Sequence, residues 1–314
     1  MNYTGTDKYT HSSKITLSGI MAINCFLLIF TGCEKIENKP FYKYPFVISI
    51  YEGTNLHDLM PRPNNPVLRG SNVSDAIVSS VADPFFIRKD GKWYMFFEAY
   101  QYEIHKGVIG YAVSEDDCYT WEYRKIIMDK PWHQSFPHVF EENGEYYMVP
   151  EAKYSGSTLL YKAINFPEEW SEPVKILSTP LVDPVVFKKD GRWYMLGLYN
   201  RDLLLFHSEN LYRGWKEHPA SPVSSDKRYR RMGGGVYFNG KDYYRIAMDC
   251  ESIYGNAIHI FKIQELTPLR YREIPFRENY NLHAGAEEWA MHGIHTLNIQ
   301  QLDTGRIIAV VDGY

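Results

Sequence analysis

The stretch Asp83-Pro-Phe-Phe-Ile-Arg-Lys-Asp-Gly-Lys-Trp-Tyr-Met-Phe is repeated, with few changes, as Asp183-Pro-Val-Val-Phe-Lys-Lys-Asp-Gly-Arg-Trp-Tyr-Met-Leu. Weaker copies begin at Phe136, Gly234 and Gly293, so similar segments follow one another at a period of roughly 50 residues. A period of this length is typical of propellers and solenoids. The chain is therefore predicted to be a repeat protein.

Each copy consists of an apolar run, a short turn and a second apolar run. Asp-Gly and Asn-Gly tolerate the positive φ values that tight hairpins need, so we predict a two-residue hairpin turn in each copy. A third apolar run and an aromatic edge segment follow each of the first four hairpins, which indicates four strands per unit. The predicted turns are Asp90-Gly91, Asn143-Gly144, Asp190-Gly191, Asn239-Gly240 and, more weakly, Thr304-Gly305.

These units predict an all-β fold, a five-bladed β-propeller with four-stranded antiparallel blades, over residues 44–314. The last copy stops at Tyr314 after two strands, and the apolar runs Tyr44–Tyr51 and Asn65–Leu68 precede the first copy. A ring of sheets does not tolerate an open edge. We therefore expect the N-terminal strands to close the last blade.

Residues 1–33 have the composition of a lipoprotein-type signal peptide. Two lysines precede the apolar run Ile15–Phe30, which is shorter than the roughly 20 residues that a membrane-spanning helix needs. The small residues before Cys33 resemble a bacterial lipobox, so we expect lipidation at Cys33 and a polar tether over 34–43. An ordinary signal peptide or an uncleaved anchor is the alternative. Either way we predict an exported protein, periplasmic or on the cell surface, that meets the membrane through this anchor only.

The composition bounds the partners. The net charge is -4 and no basic stretch is dense enough to follow a phosphate backbone, so nucleic acid is not expected. Aromatic residues make up 16% of the chain, which suits packing between blades and stacking on sugar rings. We expect a monomer whose partner is an oligo- or polysaccharide. Cys118 and Cys250 are either two buried thiols or one disulfide.

Two aspartates are the first candidates for chemistry. The inner strand of each blade begins near the central axis, so Asp83 and Asp183 are expected to face each other across one funnel. Cleavage of a glycosidic bond needs paired carboxyl groups, one acting as a base and one with a raised pKa that protonates the leaving oxygen. The alternative is that each aspartate starts its strand by bonding the turn backbone.

Two glutamates end second strands where another hydrophobic residue would be expected. Glu98 lies in Phe96-Phe-Glu-Ala and Glu151 in Val149-Pro-Glu-Ala. A carboxylate in a buried run is either a paired charge or a site residue. We favour Glu151 for the site because Pro150 can turn its side chain towards the funnel, and an Arg-paired structural glutamate is the alternative.

Three histidines and an arginine complete the candidates. His138, His292 and His295 could bond sugar hydroxyls or hold a central ion through water, so a structural calcium ion in the funnel is considered. No other cofactor is predicted, and no metal ligands are assigned. Arg231 could bind a carboxylate or phosphate on the ligand, or lie solvated in a loop.

The copies resemble the five-bladed propellers of glycoside hydrolase family 43. Asp83-Pro is similar to that family's base-bearing strand, and Asp183-Pro to the strand with its pKa-modulating aspartate. Gly293-Ile-His-Thr is similar to its last blade with the central His295. This resemblance implies that Asp83 is the general base and that Asp183 orients groups and tunes their pKa.

A fuller resemblance, over nearly all of residues 64–314, is to the N-terminal domain of glucosamine inositolphosphorylceramide transferases. It is carried by Val81-Ala-Asp-Pro-Phe, Ser135-Phe-Pro-His-Val-Phe-Glu, Tyr147-Met-Val-Pro-Glu, Asp249-Cys and His292-Gly-Ile-His. With Asp249 from this resemblance, the expected substrate-binding residues are Glu98, His138, Arg231, Asp249, His292 and His295.

One departure from family 43 affects the expected activity. That family carries its general-acid glutamate at the start of the fourth inner strand, where this chain has Gly233-Gly-Gly. Loss of a general acid typically costs 10²- to 10⁴-fold in rate. We therefore predict a glycosidic hydrolase with Glu151 as the acid, with Glu98 as the other source of the proton. The alternative is a non-catalytic glycan-binding propeller or an accessory domain to glycan synthesis.

Overall fold

The computed structural model describes residues 44–276, 282–302 and 304–314. The predicted signal peptide, the tether and the lipidation at Cys33 lie outside these residues. The described residues form strands joined by loops of varied length, with four short 3-10 turns at Gly70–Asn72, Tyr102–Ile104, Lys153–Ser155 and Glu288–Ala290. None of their helices is long and apolar enough to cross a membrane.

The strands, in chain order, are β1 (Val47–Gly53), β2 (Met60–Pro61), β3 (Ser80–Lys89), β4 (Lys92–Gln101), β5 (Lys106–Ser114), β6 (Glu122–Met128), β7 (Ser135–Glu142), β8 (Glu145–Glu151), β9 (Thr158–Asn165), β10 (Glu169–Trp170), β11 (Val174–Leu177), β12 (Val182–Lys189), β13 (Arg192–Tyr199), β14 (Asp202–Ser208), β15 (Lys216–Glu217), β16 (Arg231–Met232), β17 (Tyr237–Phe238), β18 (Tyr243–Asp249), β19 (Ala257–Leu266), β20 (Tyr271–Pro275), β21 (Ile294–Gln301) and β22 (Ile307–Gly313).

These strands form five antiparallel sheets, which confirms the predicted five-bladed propeller. Blade one is β3-β4-β5-β6, and blade two is β7-β8-β9-β10 with β11 also paired to β9. Blade three is β12-β13-β14-β15, and blade four is β18-β19-β20 with both β16 and β17 on the inner edge of β18. Blade five is β21-β22-β1-β2, so it combines the two ends of the propeller.

The closure of blade five by an N-terminal strand is confirmed. β1 pairs with β22 along its whole length, from Val47 opposite Gly313 to Gly53 opposite Ile307. The prediction was wrong about the outer strand, which is β2 and not Asn65–Leu68. Of the latter segment, Leu68 makes an isolated bridge to Ile48 of β1.

Side chains of β21 join blade five to blade one near the axis. Asn298 Nδ2 donates to the carbonyl oxygen of Pro84 at 2.6 Å, and Gln300 Nε2 donates to that of Phe86 at 3.2 Å. An inner strand has no further strand beside it, so its free carbonyls need other partners. The amides on β21 supply them, and they fix where the fifth inner strand lies against the first.

The hairpin turns follow the prediction in the first three blades. Asp90 and Gly91 have φ values of 50° and 80°, and the equivalent residues in blades two and three are also left-handed. Blade four differs, because β17 and β18 are joined by four residues and Asn239 Oδ1 accepts hydrogen bonds from the backbone N–H groups of Lys241 and Asp242. The side chain of Asn239 therefore shapes a longer loop.

The hydrophobic core lies between neighbouring blades. One cluster runs from Phe96 of blade one through Met148 and Tyr161 of blade two to Leu196 of blade three, and all four side chains are fully buried. Each blade buries both faces in this way, as propeller blades must. Cys118 and Cys250 are free thiols, so the disulfide was wrong; Cys118 is buried as predicted, and Cys250 is only partly buried.

Candidate functional site

A shared backbone distortion aims one side chain of each of the first three inner strands at the axis. Asp83, Phe136 and Asp183 have φ values of 52°, 46° and 50°, and each precedes a proline. The register shifts there in blade one, because the two residues between Ala82 and Phe85 lie opposite a single residue of β4, Phe97. Such bulges re-aim side chains and are common beside active sites. Aspartate tolerates the left-handed region better than most residues, which suits two of these three positions.

His295 occupies the bulge of blade five. Ile294 pairs with Gly313 and Thr296 with Asp312, so His295 is the extra residue between them. Its Nε2 lies 3.5 Å from Asp83 Oδ1, and its Nδ1 lies 2.6 Å from Asp312 Oδ1. Burial lowers the pKa of His295, but the charges of Asp312 and Asp83 outweigh it and raise the pKa above its usual value.

Asp83 is buried, and each of its oxygens has a partner. Oδ2 accepts a hydrogen bond from the backbone N–H of Phe136 at 3.2 Å, and Oδ1 accepts one from Thr296 Oγ1 at 3.1 Å. Burial raises the pKa of Asp83 to about 6, with the charge of His295 acting in the opposite direction. The carboxyl group is therefore held in one orientation and is mostly ionised above neutral pH.

Asp312 is a central residue of the site that the sequence reasoning missed. It is 0% exposed and accepts hydrogen bonds from the backbone N–H groups of Asp83 at 2.6 Å and Thr296 at 2.9 Å, besides its contact with His295. The signal was present, because Val310-Val-Asp-Gly ends a second strand in the same way as the segments that carry Glu98 and Glu151. Asp249 ends the second strand of blade four in the same way, so an acid at this point of blade five was the pattern to recognise.

Asp183 lies between Arg231 and Glu151. Its Oδ2 accepts a hydrogen bond from Arg231 Nε at 2.5 Å, and its backbone N–H donates to Glu151 Oε2 at 3.4 Å. Burial and then the charge of Asp183 raise the pKa of Glu151 well above its usual value. Asp183 is thus ion-paired with Arg231, and its charge favours the protonated form of Glu151.

Glu98 lies one blade before Glu151 at the same level of the fold. It pairs across the sheet with Ala82, directly before Asp83, and is 8% exposed. Its Oε1 has no hydrogen-bond partner, and the nearest imidazole nitrogen, Nε2 of His133, is 3.6 Å away. Burial and then the charge of Asp83 raise the pKa of Glu98 well above its usual value.

Aromatic rings stand above these carboxyl groups. Tyr254 is 38% exposed, its ring centroid is 5.0 Å from the guanidinium carbon of Arg231, and it is 5.2 Å from the ring of His295. His292 packs its ring 3.6 Å from that of Tyr44. Exposed aromatic faces beside polar groups are the surfaces on which sugar rings stack.

Asp249 ends the second strand of blade four, but its oxygens are used within its own loop. Oδ1 accepts a hydrogen bond from the backbone N–H of Glu251 at 2.7 Å, and Oδ2 accepts one from Asn256 Nδ2 at 2.9 Å. The predicted substrate-binding role of Asp249 would therefore be indirect. It shapes the loop that carries Tyr254.

His138 lies one layer below the carboxyl groups, nearer the hairpin turns. Its Nδ1 accepts a hydrogen bond from the backbone N–H of Val186 at 3.2 Å, and burial lowers the pKa of His138 to about 3, so the ring is neutral. It lines a cavity of about 530 Å³ that extends to Gly144 in a hairpin turn. Two residues beyond Phe136 on β7, His138 faces the other end of the channel.

The fourth inner strand has no room for a side chain at its start. A Cβ atom on Gly234, whose φ is 151°, would lie 2.0 Å from the carbonyl oxygen of Leu297 in blade five. The backbone N–H of Leu297 donates to the Gly233 carbonyl at 2.7 Å. A close backbone contact between blades four and five therefore occupies the place where family 43 carries its acid.

Asp83, His295 and Asp312 offer ligand atoms that lie within 4.8 Å of one another. Calcium takes six to eight oxygen ligands. These residues supply two carboxyl groups and an imidazole that already bonds Asp312, which is a donor set too poor in oxygen for that ion. We assign no ion to it.

Comparison with known proteins identifies the family of the chain. Residues 44–314 match the family described as glucosamine inositolphosphorylceramide transferase 1, N-terminal. The chain is similar to glucosamine inositolphosphorylceramide transferase 1 of Arabidopsis thaliana, with 34% identity over 263 residues that cover 79% of this chain and 34% of that protein. The Oryza sativa subsp. japonica protein is 32% identical over 262 residues, which cover 79% and 35%. The chain thus spans about a third of the length of these curated relatives.

Solved structures share the fold. The catalytic domain of the Coprinopsis cinerea GH62 alpha-L-arabinofuranosidase superposes with a TM-score of 0.59 at 14% identity, over 76% of this chain and 92% of that one. A thermostable family-43 glycoside hydrolase gives 0.57 at 15% identity, over 78% and 90%. At such identities the likeness concerns the fold alone. From the match over the whole propeller, the chain belongs to the family of the N-terminal domain of glucosamine inositolphosphorylceramide transferase 1.

Proposed function

We propose that the propeller hydrolyses a glycosidic bond in its central funnel, with Asp83 as general base and Glu151 as general acid. The observation that carries the proposal is the contrast between two buried carboxyl groups. Glu151 beside Asp183 has a pKa well above its usual value, whereas the pKa of Asp83 is about 6 and its charge faces His295. Environments that hold one carboxyl protonated and another ionised define an acid and a base.

In the proposed reaction Glu151 gives its proton to the leaving oxygen as the glycosidic bond breaks. Asp83 takes a proton from the attacking water, whose oxygen bonds the anomeric carbon, and the two carboxyl groups then recover their protonation states through solvent. Asp183, ion-paired to Arg231, keeps the proton on Glu151 and orients it. Tyr254 offers its exposed face to the sugar ring.

The test is turnover by matched variants on a panel of plant and bacterial polysaccharides. Asp83→Asn and Glu151→Gln should each lower release of reducing sugar by 10²- to 10⁴-fold. The free energy of unfolding should change by about 1 kcal/mol at most in Glu151→Gln, and by about 2 kcal/mol in Asp83→Asn, because both buried oxygens of Asp83 accept hydrogen bonds. Asp190→Asn, in a hairpin turn away from the funnel, is the control and should have unchanged turnover. In the parent protein kcat/KM should rise as the pH passes about 6, the pKa of Asp83. Unchanged turnover in Asp83→Asn would refute its role.

A second candidate function is glycan binding without cleavage, in a binding module or an accessory domain to glycan synthesis. It is favoured by the backbone contact at Gly234, which leaves no place for the acid that family 43 carries in blade four. A glycan array that shows specific binding, with no reducing sugar released from any bound glycan, would support this function. Measurable turnover that depends on Asp83 would exclude it.

We also propose that the protein is exported as a monomeric lipoprotein, anchored through Cys33, and acts on oligo- or polysaccharides outside the cytoplasm. The support is the composition of residues 1–33. Expression with labelled palmitate in a bacterial host should label the parent protein and not Cys33→Ser. Size-exclusion chromatography with light scattering should give the mass of one chain.

A further inference from the structure

The central channel holds a cavity of about 530 Å³ on the side of the hairpin turns, which the proposed hydrolysis does not use. The inner strands of all five blades line it, and one lining residue from each blade, in order, is Phe85, His138, Val186, Gly235 and Asn298. Small-molecule sites commonly have volumes of about 300–1,000 Å³. This turn-side cavity is therefore large enough to hold a small ligand.

Packed aromatic rings lie between the turn-side cavity and the funnel. Phe136, at the level of the carboxyl groups, packs edge-on against Phe85 with ring centroids 4.8 Å apart, and both side chains are buried. Phe85 lines the cavity, whereas Asp83 and Glu151 of the funnel do not. The two spaces are thus separate sites at opposite ends of one channel.

The turn-side cavity can be reached from the face of the hairpin turns. Its lining includes Gly144 in the turn of blade two and the charged pair Glu142 and Lys188. The side chains of that pair are 22% and 38% exposed, so they stand at the mouth, in contact with solvent. A solute can therefore enter without passing the funnel.

The charges in the lining cancel. Two cations and two anions contribute to it: Arg88, Lys188, Glu141 and Glu142. Deeper in the cavity His138 is neutral, because burial lowers its pKa to about 3. A charged ligand would lose hydration there without meeting an uncompensated opposite charge, which is costly. The lining therefore favours a ligand without net charge.

Two side chains of the lining have unused hydrogen-bonding atoms of opposite kinds. His138 Nδ1 accepts from the backbone N–H of Val186 at 3.2 Å, so the neutral ring carries its proton on Nε2 and can donate there. A Cβ on Gly235, across the channel, would lie 3.9 Å from this Nε2. Gln300 Nε2 donates to the carbonyl oxygen of Phe86, which leaves its Oε1 as an acceptor. Within the described part of the chain, no group bonds His138 Nε2 or Gln300 Oε1.

Aromatic rings form part of the same wall. Phe140 and Trp193 both line the cavity, with ring centroids 5.7 Å apart. The flat faces of such rings pack on the C–H faces of sugars. The turn-side cavity thus combines apolar faces with a few polar atoms, which is the usual composition of a small-molecule site.

We propose that the turn-side cavity is a second binding site, for one neutral sugar unit whose hydroxyls bond His138 Nε2 and Gln300 Oε1. A hydroxyl both donates and accepts, so a sugar matches a donor and an acceptor in one cavity. Its C–H faces suit the rings of Phe140 and Trp193, and it brings no charge. This inference does not rest on the proposed hydrolysis, because no funnel residue takes part in it.

Fluorine NMR of protein labelled with 5-fluorotryptophan tests the proposal at the cavity itself. The resonance of Trp193 is assigned by its loss in Trp193→Phe. Methyl glucoside, methyl galactoside and methyl mannoside are titrated, and at least one should shift this resonance with saturation. The methyl uronide of the same sugar, which replaces a hydroxymethyl group by a carboxylate, should bind at least fivefold more weakly.

Variants at Gly235 and in the funnel locate the bound sugar. Gly235→Leu extends a side chain between His138 and Asn298, so it should raise the dissociation constant at least tenfold. Gly235→Ala is the matched control, with little of the cavity filled, and should stay within threefold of the parent. Tyr254→Ala, in the funnel, should leave the titration of Trp193 unchanged. Gly235→Val is the smaller step if the leucine variant loses the dispersion of its fluorine resonances.

Four outcomes overturn the inference. They are no shift of Trp193 with any of the three glycosides, equal binding of the uronide, a titration that survives in both the leucine and the valine variant, and one that is lost in Tyr254→Ala. The third would place the sugar on the outer surface, and the fourth would place it in the funnel. Turnover that depends on Asp83, with no shift of Trp193, would leave the proposed hydrolysis intact. A Gly235-dependent shift without any turnover would do the reverse.

Discussion

Blades one and four begin their inner strands in opposite ways. In blade one the chain bulges at Asp83, in the left-handed region, and a carboxyl group points into the funnel. In blade four the strand is divided into β16 and β17, and Gly234 between them lies against the backbone of Leu297. The same place in the repeat thus holds a carboxyl side chain in one blade and a packing contact in another.

The difference shows that, in this repeat fold, one blade presents a carboxyl group to the funnel and another blade holds its neighbour in place. The inner strand of blade one can hold a strained, acid-bearing bulge because Asp312 and Asn298 of blade five bond its backbone. Blade four instead fixes blade five, through hydrogen bonds from Gly235 to Asn298 and from Leu297 to Gly233. One blade supplies a functional group and the other supplies the support.

The strongest way to break this comparison is to place an acid in blade four. Gly234→Glu should lower the free energy of unfolding by about 3 kcal/mol or more, because its Cβ would lie 2.0 Å from a backbone oxygen of the next blade. Urea denaturation followed by tryptophan fluorescence measures the loss. Gly235→Ala is the control, since its nearest heavy atom would be 3.3 Å away, and it should change stability by less than about 1 kcal/mol. A Gly234→Glu protein as stable as the parent would show that the contact is not a support.

A second test compares the acids that end the second strands of blades five and four. Asp312→Asn should cost about 2 to 3 kcal/mol, since the amide would point an N–H at donors that now bond a buried carboxylate. Asp249→Asn should cost about 1 kcal/mol or less, because the amide oxygen can still accept from the backbone of Glu251. Parallel urea titrations decide the order of the two losses. Equal losses would contradict the central place given to Asp312.

Glu98 allows a sharper test through pH. Its pKa is raised in the folded state, so its contribution to stability is complete below the unfolded pKa and is lost as the pH rises through the folded pKa. Asp83 and Glu151 add to the effect in the same direction. Glu98→Gln should therefore stabilise the protein at pH 8 by about 1 to 2 kcal/mol and flatten the fall in melting temperature between pH 5 and pH 8. A parallel downward shift of the whole curve would show that Glu98 is not held protonated.

The smallest effects are expected at two turn glycines, one in each blade, whose backbone conformations are alike. Gly91 and Gly240 both have left-handed backbones, with φ values of 80° and 87°, and a Cβ on either meets no atom within 4 Å. Replacement by alanine should cost about 1 kcal/mol in each blade, from backbone conformation alone. Thermal unfolding of the two variants checks the equality. A much larger loss in one of them would show that the longer loop shaped by Asn239 in blade four makes the two glycines unequal.

The fold could be predicted because its signals are local and repeated. Asp90-Gly91 and its counterparts mark hairpins by their own conformational preferences, and repetition at a constant spacing turns hairpins into blades. The prediction for the fourth turn was wrong because Asn239-Gly240 is typical of a two-residue turn, whereas the side chain of Asn239 stabilises a longer loop. The turn type was predicted correctly wherever the backbone preferences of the two turn residues alone determine it.

The site could be predicted only in part, because its geometry depends on distant contacts. Asp83 bonds Asp312 across 229 residues, and the place of Gly234 depends on Leu297 in another blade. Periodicity indicated that Asp83 and Asp183 would share a funnel, but it contains no information on which residues support them. His138 illustrates the limit, since its position two residues along an inner strand places it at the opposite end of the channel.

The pairing of β1 with β22 has a consequence for the order of the blades along the chain. Val47 and Gly313 are cross-strand neighbours, so the two ends of the propeller meet at one edge of one sheet. A circular permutant that links residue 314 to residue 44 through a short flexible connector, and opens the chain in the surface loop after Asn239, should keep every sheet intact. The sheets depend on contacts around the ring, and not on which blade comes first in the sequence.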